Sequence, residues 1–199
     1  GYNALLGFTT GTQNVVIGPN SGDAITTGGT NTIVGYQAGS TMTTTAKTTL
    51  VGFQSGYLIN SADADGTTAV GYNSARDLTE GQYNTVLGHE AGTNLTTGDS
   101  NTAIGYEAMH GNDSTAQTGG SNTGVGYNAL KVITTGANNI AIGFRAGDAI
   151  TTGGVNVLIG SDAGGQLTTD QYVTAVGYNA GAYAEAAIGD RYNSYFGAA

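Results

Sequence analysis

The segment NTAIGYEA (residues 101–108) decides how this chain is read. In fixed order it sets the polar Asn101, the aliphatic Ile104, Gly105, the aromatic Tyr106, the charged Glu107 and the small Ala108. Working outward from Gly105, the glycine recurs at Gly1, Gly18, Gly35, Gly52, Gly71, Gly88, Gly126, Gly143, Gly160 and Gly177, and eight of the ten intervals are 17 residues. A unit repeated end to end defines a solenoid, because each coil buries its apolar edge only against the coils beside it. The expected fold is all-β, a parallel β-solenoid or β-roll of about 11 coils of 17 residues with two short strands per coil.

The residue before the glycine is always aliphatic (Ile17, Val34, Val51, Val70, Leu87, Ile104, Val125, Ile142, Ile159 and Val176), and this column is expected to be buried. The residue after it is aromatic at Tyr2, Tyr36, Phe53, Tyr72, Tyr106, Tyr127, Phe144 and Tyr178, with Pro19, His89 and Ser161 as departures. A polar residue and then Ala or Ser follow, which is strand alternation. On this reading the aliphatic and aromatic side chains share the core face. Seven positions after the glycine a second apolar column (Phe8, Ile25, Met42, Ile59, Leu78, Leu95, Ile133, Ile150 and Leu167), usually followed by Thr-Thr, predicts the second short strand. Four positions before the glycine stand Asn14, Asn31, Asn84, Asn101, Asn122, Asn139 and Asn156. Stacked at the ~4.8 Å strand spacing, their amides are expected to bond as a ladder.

Two positions before the glycine, Ala69, Ala103, Gly124, Ala141 and Ala175 are interspersed with Val16, Ile33, Leu50, Val86 and Leu158. Two explanations stay open. A second chain approaches this small-residue surface, in a parallel homotrimer of solenoids, or the opposite wall of a thin solenoid covers it. Residues 1–187 form one solenoid domain, and the two irregular intervals are surface-loop insertions near 56–66 and 109–120. Residues 188–199 are a shortened terminal coil, a cap or a subunit junction, since Ile188-Gly189 follows Gly177 after only 12 residues. Because Gly1 already occupies the repeat position, the chain is expected to be a piece of a longer repetitive protein.

Composition narrows the function classes. Glycine is 35 of 199 residues but sits at fixed positions, so the bias is architectural and not a sign of disorder. Only 10% of residues are charged, the net charge is −9, and Lys47, Arg76, Lys131, Arg145 and Arg191 are scattered singly, which argues against binding nucleic acid. No cysteine is present, and no apolar run approaches the ~20 residues a bilayer span needs, so no membrane insertion is expected in this segment.

Segments such as NTAIGYEA (101–108), TAVGYNAG (174–181) and NTIVGYQAG (31–39) resemble the repeats of tailed-phage tail-fibre proteins, and more distantly the head repeats of YadA-type trimeric autotransporter adhesins. The resemblance covers residues 1–181 and implies a homotrimeric parallel β-roll that presents or spaces receptor-binding tips. The YadA-type motif is shorter and usually lacks the aromatic after glycine. No functional residue carries over, because the matching positions are architectural.

Chemistry is sparse. His89 and His110 lie in no metal or nucleophile spacing, so no catalysis, metal or cofactor is expected. Asp63 and Asp65 could hold Ca²⁺ with help from corner carbonyls, though a solvated loop explains them better. Asn94-Leu-Thr96 and Asn112-Asp-Ser114 match the glycosylation pattern. An ice-binding face built from Thr-Thr is a remote alternative, since adjacent strand residues point to opposite sides. Tyrosines sharing the core face would not contact carbohydrate. The expected function is therefore a structural or adhesive segment of an extracellular fibre, in a phage tail fibre or a bacterial surface adhesin. Its expected place is extracellular or on the virion surface, with a cell-surface glycan or protein as a candidate receptor and the ligand-binding residues unknown. The alternative is a homopolymeric filament of solenoids stacked end to end.

Overall fold

The computed structural model describes residues 1–60, 64–112, 115–183 and 192–197. The chain is an all-β parallel solenoid of about ten turns. Its strands are β1 (Val15–Ile17), β2 (Thr32–Val34), β3 (Thr49–Val51), β4 (Thr68–Val70), β5 (Thr85–Leu87), β6 (Thr102–Ile104), β7 (Thr123–Val125), β8 (Ile140–Ile142), β9 (Val157–Ile159), β10 (Val173–Val176) and β11 (Asn193–Phe196). They form one sheet in sequence order, each parallel to the next and in register, as in Thr32↔Thr49 and Ile104↔Val125.

Each coil holds one strand, where two were expected. The stretch after the second apolar column turns instead, and its amides converge on one carbonyl of the next coil: the N–H groups of Thr26, Thr27 and Gly28 all donate to Thr43 O at 2.9, 3.3 and 3.4 Å. The first Thr of the Thr-Thr pairs from Thr9 to Thr151 adds its hydroxyl along the same axis, as Thr26 Oγ1 does to Thr43 O and Thr134 Oγ1 to Thr151 O. This satisfies the corner without a ladder of extended residues.

The core lies on the opposite face of the strands from the one expected. The middle residue of each strand points inward, and Ile33, Leu50, Ala69, Val86, Ala103, Ala141, Leu158 and Ala175 are fully buried within the single chain. Against them pack Ile25, Met42, Ile59, Leu78, Leu95, Ile133, Ile150 and Leu167, with the Ala and Ser column completing the interior. The aliphatic column before the glycine instead faces out, with Ile17 at 58% exposure, and so do the rings, with Tyr36 at 43%. The mixed column is thus covered by the chain's own opposite wall, and it offers no surface to a second chain.

Side-chain size inside the coil is compensated locally. The residue four after the glycine occupies a slot between the inward residues of its own coil and the next. Where either is large the slot holds glycine or, at Ala75 beside Val86, alanine: a Cβ on Gly39 would stand 3.0 Å from Leu50 Cδ1 and 3.4 Å from Ile33 Cδ1. Where both are small the slot is filled, by Met109 between Ala103 and Gly124 and by Leu130 between Gly124 and Ala141. The lumen is narrow, so close packing is kept by trading volume between rungs.

The repeat glycine is required twice over. From Gly18 to Gly177 its φ lies between 126° and 144°, and in the stack a Cβ there would run into the backbone of the next coil, as at Gly71 against the carbonyl of Gly88. Ile188 and Gly189 lie outside the described residues. The sheet continues with β11, whose Phe196 pairs with Val176, which places Gly197 next in the glycine column after Gly177.

Candidate functional surface

Two ladders and one outer face organise the surface. The first ladder is the asparagine column, buried beside the strands from Asn31 to Asn156. Asn122 shows the pattern: its backbone N–H donates to Asn101 Oδ1 at 2.9 Å, while its Nδ2 donates to Gly136 O at 2.9 Å and to Asn101 Oδ1 at 3.2 Å. The chain of bonds runs on through Asn139 and Asn156 to the N–H of Val173. Asn14 and Asn31 form the lower part, and Thr48 replaces an asparagine there by donating to Asn31 Oδ1 through both N–H and hydroxyl. Asn84 passes the ladder to Asn101 at 2.8 Å. Each amide thus ties one coil to the next, and truncating one would leave buried partners unpaired at a cost of about 1–3 kcal/mol each.

The second ladder is aromatic. Tyr36, Phe53, Tyr72, His89, Tyr106, Tyr127 and Phe144 stack with ring centroids 5.0–5.3 Å apart and planes within 15° of parallel. His89 is a rung of this stack, between Tyr72 and Tyr106. Stacking covers the ring faces and leaves edges to solvent, so these rings cannot seat a planar ligand from outside. Tyr178 stands beyond the break at Ser161 and stacks on no ring among the described residues, while Tyr172 and Tyr192 pair separately at 4.9 Å.

The outer face of the sheet lies beside the rings. Thr32, Thr49, Thr68, Thr85, Thr102 and Thr123 face out at the first strand position, and the aliphatic column faces out at the third. No charged side chain interrupts either outward column from β1 to β10.

Charges collect at the position two after the glycine. Lys131 Nζ lies 2.6 Å from Glu107 Oε2 and holds that carboxyl below the ordinary glutamate range, while Glu107 in turn raises the Tyr106 hydroxyl. His110 and His89 each stand 3.9 Å from Glu90 Oε2. Arg145 binds Asp148 at 2.8 Å, which holds its guanidinium above the usual value. Among the described residues no group of three or more His, Asp or Glu could hold a metal ion. Asp63 lies outside the described residues, and Asp65 Oδ1 already accepts the N–H of Ala46 at 2.7 Å. Asn94 is buried, which closes that glycosylation pattern, while Asp113 and Ser114 of the other lie outside the described residues.

Gln117 carries no repeat signal in the sequence. Four extra residues precede it, and it takes the inward place of the second apolar column, bridging to Leu95. Its Nε2 donates to Met109 O at 2.9 Å, and its Oε1 is buried without a partner. A cavity of about 310 Å³ is lined by Arg145, Asp162, Gln166, Tyr178, Asn179 and Tyr183, residues drawn from three coils and too far apart in sequence to signal it.

The geometry defines the class of the molecule: a parallel β-solenoid whose side chains outside the core are arranged in axial columns. Comparison with protein-family models, curated proteins and solved structures found no match.

Proposed function

We infer that the chain is a structural segment of an extracellular fibre, a rigid rod associating as a parallel homotrimer and spacing or presenting the receptor-binding parts of a phage tail fibre or bacterial surface adhesin. The observation that supports this reading is the outer sheet face. It is uncharged and carries a continuous aliphatic column from Ile17 to Val176. At ~4.8 Å per strand the face is about 50 Å long. A patch of that extent on a soluble protein marks an interface. Its ridges repeat once per coil, so the surface that matches it along its whole length is another solenoid of the same rise, and a parallel copy keeps the register. The resemblance of the repeats to tail-fibre repeats supports the same class. The role is mechanical and not catalytic.

Sedimentation equilibrium tests the association. The native chain is expected at three times its monomer mass, and the double variant Val70→Asp/Val125→Asp, with two charges on the outer face, is expected as a folded monomer. A native chain that sediments as a monomer contradicts the reading, and a mass growing without limit with concentration favours end-to-end filaments. The exposed threonine row also favours a second reading, an ice-binding face of hydroxyls and methyls. Thermal hysteresis in the native protein, lost on replacing Thr68 and Thr102 by Tyr, would select it.

A further inference from the structure

The aromatic column lapses twice inside the chain's regular stretch, at Pro19 and at Ser161, and the second lapse lies beside a cavity. Phe144 is the ladder's last stacked ring, Ser161 follows one coil later, and Tyr178 resumes the column one coil after that. At ~4.8 Å per coil the gap between the two rings is about 10 Å, room for one further ring at the ladder's own spacing. Tyr178 is 61% exposed, more than any ring of the continuous stack, and no aromatic ring covers either of its faces among the described residues.

Tyr178 is also a wall of the 310 Å³ cavity, with Asp162, Asn179, Gln166, Arg145 and Tyr183. The walls offer carboxylate and amide acceptors beside amide, phenol and guanidinium donors. Arg145 is already bound by Asp148 at 2.8 Å and faces Asp162 at 3.7 Å, so among the described lining residues no positive charge is left free to hold an anion. Asp148 Oδ1, which lies against Gly165 of the cavity wall, is buried without a hydrogen-bond partner and can accept from a donor reaching past that residue.

An open aromatic face next to closely spaced, mutually neutralised hydrogen-bonding groups suits a ligand with an apolar C–H face and hydroxyls at its rim. We propose that the gap at Ser161 and the cavity beside it bind one pyranose unit of a neutral glycan, seated on the free face of Tyr178 with its hydroxyls on Asp162, Asn179 and Gln166. The rings stacked between Tyr36 and Phe144 present mainly edges, and Tyr178 is the ring of this column that lines the cavity. The site adds a receptor contact to the fibre role without depending on it, since a monomeric chain would carry the same cavity.

The test is a titration of the isotopically labelled full chain, followed by amide shifts, with methyl glycosides of galactose, mannose and N-acetylglucosamine and with inorganic phosphate as the anionic control. At least one neutral glycoside is expected to give saturable shifts centred on Arg145, Asp162 and Tyr178. Ser161→Tyr, which supplies the missing ring, is expected to weaken binding about tenfold or more while keeping the circular-dichroism spectrum. Tyr178→Ala, at an exposed position, is expected to do the same and covers the case in which the first variant misfolds. Shifts from no neutral glycoside, tighter binding of phosphate than of any sugar, or unchanged binding in both variants overturns the proposal. Sedimentation of the same samples reports the oligomeric state separately, so loss of the trimer reading and loss of the sugar site are told apart.

Discussion

At the residue scale the coil is wound by left-handed backbone at non-glycine positions. The polar residue two after each glycine has φ of 49–57°, as at Asn3, Gln54, Glu107 and Arg145, and a second left-handed residue stands five before the glycine. Asparagine tolerates this region and a β-branched residue adopts it at a cost, so Thr30 and Val155, both at φ 59°, are strained. Val155→Asn is expected to raise stability by about 1 kcal/mol in denaturant unfolding. The polar character of the first position was legible in the sequence, but its conformation was not, because a polar column two residues past a glycine also reads as a solvated strand face. Electrostatics at this scale has a definite sign. Glu107 has a lowered pKa in the folded chain through Lys131, so the pair stabilises at pH values above the unfolded glutamate pKa of about 4.3 and loses that contribution as pH falls through the folded value. Lys131→Met is expected to be less stable than the native chain at neutral pH, and the difference is expected to shrink to nothing in acid, measured by urea unfolding across pH.

The coil is the element, and its interior explains what the sequence concealed. The period, the glycine column and the inward second apolar column could be read directly, since each repeats with few exceptions. The face of the core could not. An aliphatic and an aromatic column read as the natural interior, but the narrow lumen of a 17-residue coil is already filled by the second apolar column, the middle strand residue and the Ala and Ser column. The large rings are therefore turned outward and the variable small column inward. The variability at Ala69, Ala103 and Gly124 was itself the signal: size there is inversely matched to the residue six positions on, Ala75, Met109 and Leu130. Gly124→Leu alone is expected to destabilise by about 2 kcal/mol through overpacking against Met109, whose Cγ lies 3.0 Å from the site of the new Cβ. Adding Met109→Gly and Leu130→Gly is expected to recover part of that loss, and a mutant cycle by thermal unfolding measures the coupling. The single strand per coil was hidden for a related reason, because Thr-Thr has high strand propensity yet here directs hydroxyl and amide groups along the axis.

For the whole molecule, stacking converts each repeated residue into a column about 50 Å long. The seven stacked rings, the asparagine amides and the uncharged outer face are all products of that one operation. The cavity near Tyr178 is lined by Asp162, next to the lapse at Ser161, and a departure of a single residue gives little warning of it in the sequence. Association through the outer face requires parallel copies in register, and that geometry can be measured because the chain has no cysteine of its own. Single nitroxide labels on cysteines introduced at the exposed Thr27, near one end, and at Thr169, near the other, report distances between copies by pulsed dipolar spectroscopy. The same narrow intermolecular distance at both sites, abolished by Val70→Asp/Val125→Asp, is the predicted result. Absence of intermolecular coupling, or coupling that survives the two charges, would contradict assembly through this face.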